Sequence, residues 1–233
     1  MEHIVNGLIE GFKLLVSFDQ EVYSIILLSI AVSMTSTLIS SCIGIPFGII
    51  MGLKEFRGKK VVERILYTFM GIPPVVAGLM VALLVSRKGP LGTLDLMYTP
   101  VGMIIAQTVL ITPIIAGNLF TSTKHKSREI VQTCRTLGAG KIDIFIVLIK
   151  ELKHYILIGV VTGFGRGMSE VGAIMLVGGN IEGHTRVMTT SIAMNNSMGN
   201  YSTSIAMGVV LLIIAFVVNS LLHGKIAGEE YEN

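Results

Sequence analysis

The chain has 233 residues, of which 52% are hydrophobic and only 14% charged, and its mean hydropathy is +0.74. A water-soluble domain carries about 25% charged residues, so these values exclude an ordinary globular domain and predict a polytopic membrane protein. The net charge of +3 does not indicate a nucleic-acid partner, because the basic residues cluster in short segments between apolar stretches.

The first apolar stretch is too short to cross a bilayer. Residues Ile4–Phe18 carry Glu10 and Lys13, and they predict an amphipathic helix lying on the membrane surface. A sixth, short crossing is the alternative. We therefore assign residues 1–22 to an N-terminal interfacial segment.

Five apolar stretches follow, each close to or above the length of about 20 residues that crosses a bilayer. They predict spans at about Tyr23–Gly52, Ile65–Ser86, Thr99–Phe120, Tyr155–Gly178 and Thr203–Leu222. Proline is expected to kink or break a helix: Pro46 near the end of the first span, Pro73 and Pro74 within the second. Residues 23–222 then form the transmembrane domain, and residues 223–233 form a tail.

The basic residues predict the orientation of these spans. Thirteen of the eighteen Lys and Arg residues lie in segments 53–64, 121–154 and 223–233, and four lie in the segments on the other side. Because cytoplasmic loops carry the excess of Lys and Arg, the N-terminus is expected outside. The segment 121–154 and the C-terminus are expected in the cytoplasm.

The segment Arg128–Gly140, reading REIVQTCRTLGAG, lies between the third and fourth spans. If it is helical up to Leu137, then Ile130, Cys134 and Leu137 share one face. Gly138 is suited to end the helix in the left-handed conformation. A helix of two turns is not stable alone in water. It is therefore expected to pack either in a groove of a partner protein or against the cytoplasmic ends of its own chain.

This segment and the following KIDIFIVLIKEL resemble the cytoplasmic coupling loop of permease subunits in ABC importers. The pattern of that family is Glu-Ala-Ala, three residues, Gly, nine residues, then Ile-x-Leu-Pro. Gln132, Thr133 and Cys134 occupy the Glu-Ala-Ala positions, and Gly138 occupies that of the glycine. The Leu-Pro ending is absent, since the three final positions hold Leu148, Lys150 and Glu151.

Two further blocks resemble the oxyanion permeases for molybdate, sulfate and tungstate. GIPPVVAGL (Gly71–Leu79) is similar to their span with two prolines, and the block Gly165–Ile192 is similar to their fourth span. Within the second block, the combination of Ser-Glu-Val-Gly-Ala, Val-Gly-Gly-Asn-Ile and Gly-His-Thr-Arg-Val looks most like the tungstate branch.

The resemblance implies an all-α permease of the type I ABC importer fold, with five transmembrane helices, an N-terminal amphipathic helix and a coupling helix in loop 124–151. It further implies a homodimer in a prokaryotic plasma membrane, two ATPase subunits that carry ATP and Mg, and an extracytoplasmic protein that delivers tungstate or a close oxyanion. The implied ATPase-coupling residues are Arg128, Glu129, Gln132, Thr133, Cys134, Arg135, Thr136, Leu137, Gly138, Ala139 and Gly140.

Arg166 and Glu170 are two charged residues inside the fourth span. On a helix, residues four apart share a face, and an isolated charge at the bilayer centre is costly. The two are therefore expected to pair, facing the bundle interior or a watery cavity. They either fix helix packing or form a gate, in which Arg166 attracts a doubly charged oxyanion, Glu170 holds the arginine and Ser169 adds a hydroxyl donor. Pro73 and Pro74 complete the candidate pathway set.

The sequence contains no Gly-x-x-x-x-Gly-Lys-Ser/Thr loop that would cradle a nucleotide phosphate. ATP chemistry is therefore expected on another polypeptide, and no enzyme site or resident cofactor is expected here. The alternatives that remain are a molybdate or sulfate permease of the same family, a stand-alone anion channel or secondary transporter, and a non-transporting membrane scaffold.

Overall fold

The structure is a computed structural model that describes residues 5, 8, 9, 12, 13, 16 and 19–230. From Asp19 to Glu230 the chain holds nine α-helices and one short 3-10 turn, with no strand. The predicted all-α fold class is confirmed. The helices are α1 (Gln20–Leu53), α2 (Lys59–Met70), α3 (Pro74–Val85), α4 (Pro100–Thr136), α5 (Lys141–Glu151), α6 (Lys153–Met168), α7 (Gly172–Gly178), α8 (Met188–Ser197) and α9 (Tyr201–Glu230), with the 3-10 turn at Gly92–Leu94.

The long helices α1 and α4 form the centre of the bundle. Gly44, Gly48 and Gly52 recur every four residues on α1 and are all buried. A Cβ on Gly48 would lie 2.5 Å from the carbonyl oxygen of Ala116 on α4. Small residues at this spacing let two helix backbones approach closely in a membrane, and here they let α1 and α4 pack against each other. Helix α1 continues past Pro46 to Leu53.

Helix α4 is much longer than the span predicted at Thr99–Phe120. It runs for 37 residues to Thr136, so it contains most of the coupling segment. The apolar stretch ends near Phe120, but the helix continues because residues 121–136 contain neither Gly nor Pro. Thr123, Ser127 and Cys134 keep one side of this extension buried. The expected separate two-turn helix is therefore replaced by the end of a long one.

The second and fourth predicted spans are each broken into two helices. Helices α2 and α3 are bent by 100° at the break, and α6 and α7 are bent by 58°. Within the described chain, three helices are long and apolar enough to cross a membrane, or up to five if each bent pair is one span. The break before Pro74 lies where the two prolines predict it. The break after Met168 carries no proline.

The described residues near both ends of the chain are helical. Most of Ile4–Phe18 lies outside the described residues. Val5, Leu8, Ile9, Phe12 and Val16 are helical and exposed. At the other end, α9 starts at Tyr201 and continues to Glu230. Residues 223–230 of the predicted tail are therefore helical and continue α9.

Candidate functional site

The coupling segment ends in a tight turn centred on Gly138. Its φ is +78°, in the left-handed region that favours glycine. The N–H of Ala139 donates to the carbonyl oxygen of Cys134 at 2.9 Å, and the N–H of Gly138 donates to that of Arg135 at 3.0 Å. This pair of bonds is the Schellman motif, which satisfies the free carbonyls at a helix end. The residue type at position 138 thus fixes where α4 stops.

After this turn the chain enters α5. The backbone N–H of Gly140 donates to Oδ2 of Asp143 at 2.9 Å. A carboxylate in the first turn also interacts favourably with the positive end of the helix dipole. The segment is therefore a helix–turn–helix unit with both helix ends at the turn capped.

The inner face of this unit packs on its own chain. Cys134 is buried in one hydrophobic cluster with Ile144, Leu148 and Leu152, and Ile130 packs against that cluster. Of the two predicted alternatives for holding the segment, the structure has packing against its own chain. The expectation that Leu137 shares this face is wrong, because Leu137 follows the last residue of α4 and its side chain is 81% exposed.

The outer face of the unit is exposed and combines charge with apolar side chains. Ile142 is 75% exposed and lies a few residues after Leu137. Two such apolar side chains beside a glycine turn are typical of a protein-binding surface. Of the predicted coupling residues, Cys134 is buried and Ala139 half-buried, and the exposed ones are Arg128, Glu129, Gln132, Thr133, Arg135, Thr136, Leu137, Gly138 and Gly140.

The two broken spans pack against each other. A Cβ on Gly78 of α3 would lie 2.5 Å from the Cα of Ala173 on α7. At the start of the same helices, a Cβ on Gly172 would lie 2.8 Å from Cγ2 of Val75. The break at Pro73 and Pro74 thus lies beside the break between α6 and α7, and the structure brings the two parts of the candidate pathway set together.

Glu170 does not share a helix with Arg166, contrary to the sequence-based expectation, because α6 ends at Met168. The two still pair, with 3.6 Å between Nη2 of Arg166 and Oε2 of Glu170. The other carboxylate oxygen, Oε1, accepts the N–H of Ala173 at 3.1 Å, and Thr189 Oγ1 donates to the backbone oxygen of Glu170 at 2.8 Å. Glu170 is 3% exposed. Its buried carboxylate therefore caps α7 and pairs with Arg166 in the last turn of α6.

A polar stripe runs along the uncovered side of α6. Thr162, Gly165, Arg166 and Ser169 follow the spacing i, i+3, i+4 and i+7, which places them on one face. Thr162 and Ser169 are exposed, the Arg166 side chain is 36% exposed, and a Cβ on Gly165 would meet no atom within 4 Å. The Ser169 hydroxyl donates to the carbonyl oxygen of Arg166 at 3.1 Å, so its proton already has an acceptor.

Gln107 of α4 is a polar residue that sequence reasoning missed. It is 1% exposed, its Oε1 accepts from Ser36 Oγ at 2.6 Å, and its Nε2 donates to the carbonyl oxygen of Gly167 at 2.9 Å. In the sequence, the signal for this residue is that Gln107 is a side-chain amide within the apolar span Thr99–Phe120. An amide buried in a membrane must find partners, and this one joins three helices.

Metal chemistry has no candidate site in this part of the molecule. Among the described residues, no group of three or more His, Cys, Asp or Glu side chains could hold a metal ion.

The sequence is similar to those of known transport proteins. A family model described as the binding-protein-dependent transport system inner membrane component matches residues 44–223. The chain is 50% identical over 223 residues to the tungstate uptake system permease protein TupB of Peptoclostridium acidaminophilum, covering 96% of this chain and 98% of that protein. It is 36% identical over 203 residues to a probable anion ABC transporter permease protein of Haloferax volcanii, covering 85% and 88%. It is 30% identical over 223 residues to the tungstate uptake system permease protein TupB of Campylobacter jejuni, covering 96% and 93%.

Proposed function

This chain belongs to the family of inner membrane components of binding-protein-dependent transport systems, and on that premise we propose that it is the permease subunit of an ATP-driven importer of tungstate. The observation that carries the substrate is the 50% identity, over nearly the full length of both chains, to a tungstate uptake permease. Family and hydropathy together make the chain a multi-pass protein of the inner membrane.

The polar stripe on α6 is the part of the surface that suits an anion pathway. Most of the outward side of the long spans is apolar, as lipid requires, whereas Thr162, Gly165, Arg166 and Ser169 are polar or open. A second copy of the chain facing this stripe would enclose a path lined by two guanidinium groups. The half-exposed Arg166 then attracts the dianion, and Glu170 neutralises the arginine when the path is empty.

Two copies of the chain would operate with two ATPase subunits and an extracytoplasmic binding protein. ATP and Mg belong to the ATPase subunits, which dock on the exposed side of the coupling segment around Leu137, Gly138 and Ile142. The basic segments 53–64 and 121–154 support a cytoplasmic location for this side. That orientation places the N-terminus outside and the C-terminus in the cytoplasm.

Transport would proceed by alternating access. Closure of the ATPase pair moves the turn at Gly138, and this movement reaches the bundle through α4 and through the cluster around Cys134 and Leu148. The two broken spans provide positions at which the bundle can repack between outward and inward openings. Binding energy from the loaded binding protein and from ATP biases the populations of these two states.

The test is uptake in proteoliposomes that contain the chain, its ATPase and its binding protein. Tungstate accumulation that needs ATP, and that an excess of sulfate or molybdate only weakly inhibits, is the expected result. Preferential uptake of molybdate or sulfate would contradict the substrate, and uptake without the ATPase would favour a stand-alone channel or secondary transporter. Binding of a soluble protein at the coupling segment with no flux would favour a scaffold. The matched control is a complex whose ATPase cannot hydrolyse ATP.

A further inference from the structure

The break between α6 and α7 is contacted by Gln107 of α4, a buried residue outside the candidate pathway set. Gln107 donates through Nε2 to the carbonyl oxygen of Gly167 at 2.9 Å. The N–H of Glu170 donates to the same oxygen at 3.2 Å. The carbonyl oxygen of Gly167 thus lies at the end of α6. It accepts one hydrogen bond from the backbone at the break and one from Gln107 on another helix.

A helix end inside a membrane needs such a partner. The last carbonyls of a helix have no N–H donor within it, and the hydrocarbon offers no water to donate the missing bonds. At this break the chain carries no proline that would enforce the stop. The side chain from α4 therefore stabilises an ending that the local sequence does not by itself dictate.

The carbonyl of Gly167 fixes the orientation of the amide, because its oxygen can only accept and Nε2 must therefore face it. Oε1 then accepts from Ser36 Oγ on α1 at 2.6 Å, and the same hydroxyl lies 3.1 Å from the carbonyl oxygen of Ser33. Position 167 is closely packed, because a Cβ there would lie 3.1 Å from Cδ1 of Ile111 and in ordinary contact, at 3.5 Å, with Oε1 of Gln107.

We propose that Gln107 is a positioning residue for transport. By fixing where α6 ends, it fixes where Arg166, Ser169 and Glu170 stand in the pathway, and Ser36 acts through it. This inference rests on the proposed function. Because Gln107 is 1% exposed, it acts on the switching of the bundle and not by touching the anion or the binding protein.

The experiment uses the complete complex in proteoliposomes, with tungstate as the probe. Gln107→Leu is expected to lower the maximal uptake rate about tenfold, as the loss of a buried hydrogen-bonded amide would. The half-saturating concentration of loaded binding protein stays unchanged. Ser36→Ala has a smaller effect, and it has no further effect in a Gln107→Leu background, because it acts through the missing amide.

Ser40→Ala is the matched control. Ser40 is buried on the same helix, and its hydroxyl donates to the carbonyl oxygen of Thr108 on α4 at 3.3 Å, without a contact to the break. Ser40→Ala is expected to transport like the parent. An equal loss of rate in Ser40→Ala and Ser36→Ala would overturn the proposal, since it would reflect general α1–α4 packing.

A labelling readout separates this proposal from the substrate assignment. Ser169→Cys, in a chain whose exposed Cys42 is replaced by Ser and whose buried Cys134 is kept, is treated with a membrane-impermeant thiol reagent in the absence of ATP and tungstate. Gln107→Leu, or Ser36→Ala if the former does not fold, is expected to change the labelling rate severalfold. An unchanged labelling rate and an unchanged maximal rate overturn the proposal. A parent complex that takes up no tungstate instead contradicts the proposed function, while the labelling result still decides the role of Gln107.

Discussion

Substitutions of Gly138 separate the shape of the coupling turn from the contacts that it makes with a partner. A Cβ at this position would meet no atom within 4 Å in the isolated chain, and the φ of Gly138 is +78°. Alanine therefore causes no clash and costs only the strain of a left-handed residue, about 1–2 kcal/mol. Proline fixes φ near −65° and has no N–H, so it cannot form this turn.

The magnitudes predict different outcomes for the two variants. A cost of about 1–2 kcal/mol changes the population of the turn by a factor of about 5–30. The packing of Ile130 and Cys134 against α5 is unaffected and continues to favour the turn. Gly138→Ala is therefore expected to retain ATPase binding and at least part of the tungstate uptake. Gly138→Pro is expected to reach the membrane at the parent level and to lose coupling or assembly with the ATPase.

The assay compares membrane level, co-purification of the ATPase and ATP-driven tungstate uptake. Gly199 provides the control, because it is also left-handed, with φ of +80° and no atom within 4 Å of an added Cβ, and its N–H donates to the carbonyl oxygen of Asn196. Gly199→Ala carries the same strain in the connection between α8 and α9 and should retain ATPase binding. Uptake at the parent rate by Gly138→Pro would refute the coupling role of the turn.

Three further substitutions test other parts of the account. Leu137→Asp should leave the thermal unfolding temperature nearly unchanged, since the side chain is 81% exposed. The same variant should weaken ATPase binding about tenfold or more in a titration. Unchanged binding would show that the ATPase docks elsewhere. Glu170→Gln keeps an acceptor for the N–H of Ala173 but loses the charge beside Arg166. It should therefore unfold at a higher temperature than Glu170→Ala, which leaves that N–H unpaired at a cost of about 1–3 kcal/mol; the reverse order would contradict the capping role. Gly78→Val should destabilise the detergent-solubilised chain by about 1–3 kcal/mol through overpacking, because its Cβ would lie 2.5 Å from the Cα of Ala173, and a neutral result would place α3 farther from α7.

The fold class was predictable from the sequence because hydropathy and charge directly reflect the solvent that each segment requires. The left-handed turn at Gly138 was predictable for a similar local reason, since few residue types adopt that conformation. The end of α4 was not predictable from hydropathy. A helix can pass from hydrocarbon into water without any change in its backbone geometry, so the end of the apolar stretch does not mark the end of the helix. The buried side of the extension, formed by Thr123, Ser127 and Cys134, is also only partly apolar and gives a weak hydrophobic pattern.

The geometry around the candidate pathway residues differs from the sequence-based prediction, and their role in a pathway stays a prediction. Pro73 and Pro74 indicate a break through local chemistry, whereas the break after Met168 has no proline and receives a hydrogen bond from Gln107, which is distant in sequence. Arg166 and Glu170 pair as expected from the cost of a lone charge, but around a helix end instead of along one face. The position where α6 ends, and with it the geometry of the Arg166–Glu170 pair, involves residues that are distant in sequence, and hydropathy does not report such contacts.

The most direct measurement is the labelling rate of Ser169→Cys with and without ATP, in complexes that carry either the parent coupling turn or Gly138→Pro. If the turn transmits ATP-driven movement to the pathway, ATP changes the labelling rate in the parent complex and leaves it unchanged in the Gly138→Pro complex. An equal response to ATP in both complexes would contradict the account.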